Sequence, residues 1–186
     1  MTRIIAGHGK GRRLKSPKGL DTRPTGSRVR QTLFDILAPA VPGCRFLDAF
    51  AGNGGIGLEA LSRGARRVVL VDASAAAVAT IRENVQALAG AGGDVQVFRQ
   101  DTRVALAALA DSGVRFDVIY LDPPYDSELY EPLLAQVGET GLLEAGGVVI
   151  AEHFHKRLLP ETIGGLSRTR MVRVGDHRLS FYRESE

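Results

Sequence analysis

Asp122, Pro123, Pro124 and Tyr125 set a carboxylate, two rigid rings and a flat aromatic face within four consecutive positions. They follow Phe116-Asp117-Val118-Ile119-Tyr120-Leu121, a run with the β-branched and aromatic bias of a buried strand. Prolines cannot extend a ladder, so the strand stops at Asp122 and delivers its carboxylate to the carboxyl edge, where open α/β sheets bind ligands. An ionised Asp122 only accepts hydrogen bonds, and the Pro123 carbonyl, stiffened by the following ring, is a second fixed acceptor. Two acceptors suit an NH2 group, and Tyr125 offers a face on which a planar base stacks. The alternative is a Pro-Pro turn that ends a strand, with Tyr125 capping the core.

A second constellation is Phe46-Leu47-Asp48-Ala49-Phe50-Ala51-Gly52-Asn53-Gly54-Gly55-Ile56-Gly57, a strand, a glycine loop and a helix start. Gly52, Gly54 and Gly57 fit G-x-G-x-x-G, in which missing side chains admit a ligand to the backbone at a helix amino end; tight strand-to-helix packing is the competing explanation. Asp72 closes the next strand, placed like the acid that accepts ribose hydroxyls. Together they point to adenosine binding. A dinucleotide enzyme would put a pyrophosphate dianion here, which Asp48 would repel if it faced the site, and would need a substrate domain that 186 residues hardly accommodate. A ligand with an ammonium and a sulfonium suits Asp48 better, unless that residue is a core or cap group. Asp101 either accepts from an adenine amine or caps the helix that begins at Thr102.

The elements that must position these groups alternate. Strands are expected over Arg45–Phe50, Arg67–Val71, Val95–Arg99, Phe116–Leu121 and Val148–Ala151, and helices over Ile56–Arg63, Ser74–Leu88, Thr102–Ala110 and Ser127–Val137. This is the signature of a Rossmann-like, doubly wound, mainly parallel sheet. Leu166–Val174 and His177–Arg183 read as a closing hairpin around Gly175-Asp176, and Arg3 to Leu20 as a small amino-terminal hairpin. Between them Val29, Leu33, Ile36 and Leu37 share one helical face, with Ser27 expected as N-cap.

Composition narrows the partners. With 44% hydrophobic residues the chain has material for a full core, and no apolar stretch approaches the roughly 20 residues of a membrane span. A secretory signal is not expected, and a lone Cys44 excludes an internal disulfide and fits a reducing cytoplasm. The net charge of +3 conceals a segregation: residues 1–30 hold nine basic side chains against Asp21, while the remaining 156 hold 15 basic and 20 acidic groups. Apolar Ile4, Ile5, Leu14 and Leu20 interleave with those charges, so an ordered basic arm that binds nucleic acid is favoured over a solvated tail or a membrane contact. Arg28 and Arg30 stand in the first turn of a helix, where its dipole disfavours cations, which suggests a phosphate contact or an ordinary solvated face. His153 and His155 beside Glu152 lack further metal ligands and read as a strand terminus; His8 either touches RNA or sits in a solvated loop, and His177 reads as hairpin surface.

The order Asp48, Ala51-Gly52-Asn53-Gly54, Asp72, Asp101, Asp122-Pro123-Pro124-Tyr125 resembles class I S-adenosylmethionine-dependent methyltransferases that modify exocyclic amines. More narrowly, Arg3-Ile4-Ile5-Ala6-Gly7, Lys10-Gly11-Arg12-Arg13-Leu14, Thr22-Arg23-Pro24-Thr25, Arg28-Val29-Arg30-Gln31-Thr32-Leu33-Phe34 and Gly57-Leu58-Glu59-Ala60-Leu61-Ser62-Arg63-Gly64-Ala65 resemble the bacterial small-subunit (16S) rRNA guanine-N2 methyltransferase family. The match runs from Arg3 to about Glu152; Asn53 departs from it, standing where the family more often has a small hydroxyl residue. The resemblance implies a seven-stranded methyltransferase domain over residues 27–186 and an RNA-binding arm over residues 1–26. S-adenosylmethionine would be held by Asp48, Ala51, Gly52, Asn53 and Gly54 at its methionine part, by Asp72 with Ala73 at the ribose, and by Asp101 with Thr102 at the adenine. Asp122, Pro123, Pro124 and Tyr125 would hold the flipped-out guanine, and Arg12, Arg13, Lys15, Arg23, Arg28 and Arg30 the RNA. It also implies a cytoplasmic, metal-free monomer acting on rRNA or on an assembling 30S particle. Two rivals are a DNA adenine-N6 methyltransferase, for which no DNA-reading module is evident, and a non-catalytic RNA-binding assembly factor.

Overall fold

The computed structural model describes residues 2–17, 26–88, 90, 92–124 and 127–185. Thr22-Arg23-Pro24-Thr25 and Tyr125, singled out above, lie outside them. The chain has two compact units, Met1–Thr102 and Arg103–Glu186, the first of which includes the arm.

In the first unit β1 (Thr2–Arg3) pairs antiparallel with β2 (Arg13–Leu14), Thr2 opposite Leu14. Next come α1 (Ser27–Leu37), β3 (Arg45–Asp48), α2 (Gly55–Ser62), β4 (Arg67–Asp72), α3 (Ala75–Ala87) and β5 (Asp94–Arg99). The strands run parallel in the order β5-β4-β3, Asp48 level with Leu70 and Asp72 with Arg99. Val68 to Val71 are fully buried, as a strand covered on both faces requires. α1 buries Val29, Leu33, Phe34 and Leu37. Its N-cap is Gly26 and not Ser27, which is already helical and makes no side-chain cap bond.

The second unit contains α4 (Thr102–Asp111, whose first residue closes the first unit), β6 (Phe116–Leu121), α5 (Tyr130–Glu139), β7 (Leu143–Phe154), β8 (Thr162–Ile163), β9 (Leu166–Val174) and β10 (His177–Glu184). β6 and β7 are parallel, and β7-β10-β9-β8 continue antiparallel. Among the described residues the main-sheet strands number eight where seven were expected. The additional one, β8, exists because Gly164 and Gly165, both at positive φ (54° and 79°), make a two-residue hairpin turn. β7 begins five residues before its expected start at Val148. It passes Gly146 (φ 75°) and Gly147, where a Cβ would lie 2.8 Å from the Glu144 carbonyl oxygen, and its register with β6 shifts between Phe116 and Val118. α5 starts at Tyr130, not Ser127, because the Ser127 amide turns back onto the Pro124 carbonyl (2.9 Å). Among the described residues no helix is long and apolar enough to cross a membrane.

Candidate active site

In the first unit the carboxyl ends of three parallel strands gather Asp48, Asp72 and Asp101. Gly54, at φ 80°, is the left-handed N-cap of α2, and Gly52, at φ 56°, has nothing within 4 Å of the place a Cβ would take. The three motif glycines therefore serve different ends. Gly57 is the packing glycine: a Cβ there would meet Leu70 Cδ2 at 2.4 Å and Val68 Cγ1 at 3.0 Å. Gly52 leaves open space and Gly54 supplies the turn.

The acids hold this loop. Asp72 is half-buried; its Oδ2 accepts from the Gly52 amide and its Oδ1 from the Ser74 amide, each at 2.8 Å. A carboxylate has about four lone-pair directions, so both oxygens retain capacity for hydroxyl donors. Asp48 is buried, and its Oδ2 accepts from the Gly57 amide (3.0 Å) in the first turn of α2, where a negative charge suits the dipole. Ala51 is buried, its amide bonded to the Val71 carbonyl (2.9 Å). Asn53 Oδ1 accepts from the Gly55 amide (3.0 Å), and its Nδ2 donates to Thr2 Oγ1 (3.2 Å), so this residue ties the loop to the arm. Buried Thr102 donates to the Ala49 carbonyl (2.8 Å), whereas Ala73 and Asp101 are exposed. The open space at Gly52, the two-oxygen rim of Asp72 and exposed Asp101 fit the outline of an adenosine ligand.

The arm is clamped to this unit. Glu59, fully buried, accepts from the amides of Ile5 (2.7 Å) and Ala6 (3.0 Å) and from Arg63 Nε (2.8 Å). Ser62 Oγ accepts from the Gly9 amide and donates to the Ala6 carbonyl, and Asn84 exchanges two bonds with the Lys15 backbone. Of the basic residues expected at RNA, Arg12, Arg13, Lys15 and Arg28 are exposed. Arg12 Nη1 donates to the Ala87 carbonyl at the end of α3, and Lys15 pairs with Glu83. Arg30 does something else: only 4% exposed, it donates through Nη2 to the Arg3 carbonyl (2.6 Å). Burial lowers its pKa, with nearby Glu59 opposing. Its side chain holds β1 and is turned away from solvent.

In the second unit β6 ends as expected. Asp122 is half-buried, Pro123 buried and Pro124 exposed. A residue the motif reading missed fixes the acceptor. The hydroxyl of buried Tyr130 shares its one proton between the Glu152 carbonyl (3.0 Å) and the Pro123 carbonyl (3.3 Å). Glu152, 1% exposed, accepts from the Tyr120 hydroxyl and lies 2.7 Å from His177 Nδ1. Its position directly after the apolar run Val148–Ala151 is the sequence signal that was available. His153 is buried with both ring nitrogens engaged, Nδ1 by the Phe154 carbonyl (3.1 Å) and Nε2 by Ser180 Oγ (2.9 Å), and burial depresses its pKa. Among the described residues no group of three or more His, Cys, Asp or Glu could hold a metal ion.

The mainly parallel sheet with flanking helices and a glycine loop between β3 and α2 defines a class I methyltransferase fold. A structure from Escherichia coli, provisionally titled methyltransferase yhhF, superposes with a TM-score of 0.85 at 32% identity, covering 98% of this chain and 97% of that one. The profile of the family described as Conserved hypothetical protein 95 matches residues 2–183, and the chain belongs to that family. A Bacillus subtilis relative with the provisional name rRNA methyltransferase YlbH is 40% identical over 98% of both chains. The Ribosomal RNA small subunit methyltransferase D of Escherichia coli is 34% identical, covering 85% of this chain and 77% of that one.

Proposed function

We propose that the protein transfers a methyl group from S-adenosylmethionine to the exocyclic N2 amine of a guanine in 16S rRNA, in the assembling 30S particle. The observation that carries this reading is the braced acceptor pair after β6: Asp122 followed by a Pro123 carbonyl set against the Tyr130 hydroxyl, in a chain related along most of its length to a small-subunit rRNA methyltransferase.

S-adenosylmethionine supplies a methyl carbon activated by a sulfonium. The chain's own residues bind and orient. Asp72 and Ala73 meet the ribose, Asp101 and Thr102 the adenine, and Ala51, Gly52, Asn53 and Gly54 the methionine part, with Asp48 acting through the helix end it anchors. Asp122 and the Pro123 carbonyl accept from the guanine amine, whose lone pair is otherwise delocalised into the ring, and turn that lone pair toward the methyl carbon. Tyr125 and Pro124 lie against the base. Transfer would exchange the donor's C–S bond for a new N–C bond, and Asp122 or water would take the amine's proton. Arg12, Arg13, Lys15, Arg23 and Arg28 contact the RNA. The protein acts as a metal-free monomer in the cytoplasm.

The test is to incubate the full chain and tritiated S-adenosylmethionine with 30S particles, deproteinised 16S rRNA or duplex DNA, and to digest the products to nucleosides. N2-methylguanosine from rRNA supports the proposal. N6-methyladenine from DNA would favour the first rival, and no label in any substrate the non-catalytic one.

A further inference from the structure

The second unit has a further surface that the reading above does not use. In the antiparallel part, Arg178 on β10 stands opposite His153 on β7 and opposite Arg173 on β9, and Met171 stands opposite Ser180. Cross-strand partners share a sheet face, so Arg173, Arg178, Met171 and His153 lie together. Arg168 joins them, opposite Tyr182 on the same face of β10. Placing Arg173 and Arg178 directly opposite each other is unfavourable by charge. Residues 153–180 hold six Lys or Arg against Glu161 and Asp176, although the chain beyond residue 30 is net acidic.

Residues 157–161, between β7 and β8, border the same face, leaving a cavity of about 340 Å³ lined by His153, Arg157, Arg168, Met171 and Arg178 among others. Its arginines are not equivalent. Arg157 donates to the Ser127 carbonyl (2.8 Å) and pairs with Glu131, and Arg168 donates to the Leu159 carbonyl and pairs with exposed Glu161. Arg178 Nη1, like Arg157 Nε, is shielded from solvent and has no hydrogen-bond partner among the described residues. A desolvated guanidinium nitrogen without an acceptor is uncompensated, and an anion in the cavity that Arg178 lines would supply the countercharge. Leu158 (78% exposed) and Met171 (45% exposed) add apolar surface beside this cationic floor. A planar donor fork next to exposed apolar side chains fits a phosphate with its attached nucleoside better than an acidic peptide.

We propose that this pocket is a second RNA-contact site, taking a backbone phosphate of the substrate on Arg178 while the adjoining nucleoside lies against Leu158 and Met171, and exposed Arg173, outside the pocket lining and held at Nε by the Gly175 carbonyl, adds charge across the strand pair. The proposal rests on the reading that the substrate is RNA. It also explains the position of Arg157: one wall of the pocket holds the Ser127 carbonyl, and the Ser127 amide holds Pro124. The phosphate site is thereby tied by one side chain to the turn that follows Asp122.

The experiment measures binding of fluorescein-labelled deproteinised 16S rRNA by anisotropy across potassium chloride concentrations. It compares the full chain with Arg178→Gln and with Arg173→Glu, the latter at an exposed position that leaves folding intact. The expected result is roughly fivefold weaker binding at low salt and a log–log salt slope shallower by about 0.7 for each phosphate contact removed, with S-adenosylhomocysteine affinity and thermal midpoint unchanged. Equal RNA affinity and slope in folded variants, with wild type binding normally, would overturn this site while leaving the proposed function standing. No RNA binding by wild type, together with no methyl transfer to 30S particles, would overturn both. Micromolar binding of guanosine monophosphate or inorganic phosphate, lost in Arg178→Gln without change in RNA affinity, would make the pocket a small-molecule site and also overturn the proposal.

Discussion

Replacing Glu59 with Ala tests how the arm is held. The carboxylate is fully buried and answers three donors: the amides of Ile5 and Ala6 and the guanidinium of Arg63. Removing one partner of a buried ion pair costs about 3–5 kcal/mol. The two amide bonds to a charged acceptor, at roughly 1.5–3 kcal/mol each, give a similar total. For a chain of this length each kcal/mol moves the thermal midpoint by about 2–4 °C, so Glu59→Ala should unfold roughly 6–20 °C earlier. Hydrogen exchange gives the local reading: the Ile5 and Ala6 amides should lose protection while the β4 amides keep theirs. Ser62→Ala, which removes the bonds to Gly9 and Ala6, should show a smaller effect in the same direction. A loss below about 1 kcal/mol in urea unfolding, with Ile5 and Ala6 still protected, would refute the clamp.

The glycines give a paired prediction. Gly57→Ala forces a methyl group onto Leu70 and should cost about 1–3 kcal/mol, whereas Gly52→Ala meets open space and costs only about 1–2 kcal/mol through backbone strain. Calorimetric titration should nevertheless find S-adenosylhomocysteine affinity hit harder at Gly52. Tyr130→Phe frees the Pro123 carbonyl of its brace and should lower kcat roughly ten- to a hundredfold, cofactor affinity unchanged; an unaltered kcat would remove Tyr130 from the machinery. The depressed pKa of His153 sets a pH dependence. The folded state disfavours the imidazolium, so stability is full above the unfolded pKa near 6.5 and declines as pH falls toward the folded value. Urea midpoints between pH 7.5 and 5 should therefore drop more for wild type than for His153→Gln, and parallel curves would contradict this.

Buried parallel strands were the most legible elements, because a continuous apolar run such as Phe116–Leu121 has one reading once prolines end it. Glycine pairs misled: Gly146-Gly147 resembles a turn and lies inside β7, while Gly164-Gly165 makes a turn short enough to add β8. Capping was misread at Ser27 because a hydroxyl residue before a helix is only a preference, and Gly26 took the position. The carboxylates of the site were visible as strand-end acids. What sequence could not give was direction. Arg28 and Arg30 look alike in the first turn of α1, yet one is exposed and the other is buried against the arm. Glu59, an acid inside the apolar stretch Ile56–Leu61, has no sequence pattern around it that names its partners in the arm. Tyr130 opens α5 with no motif around it to mark its hydroxyl.

The most direct test is to map methylated nucleosides on 16S rRNA from cells carrying the wild-type gene, an Asp122→Ala gene or none. A single N2-methylguanosine present only with the wild-type protein is the predicted result. The same modification installed equally well by Asp122→Ala would contradict the role given to this carboxylate.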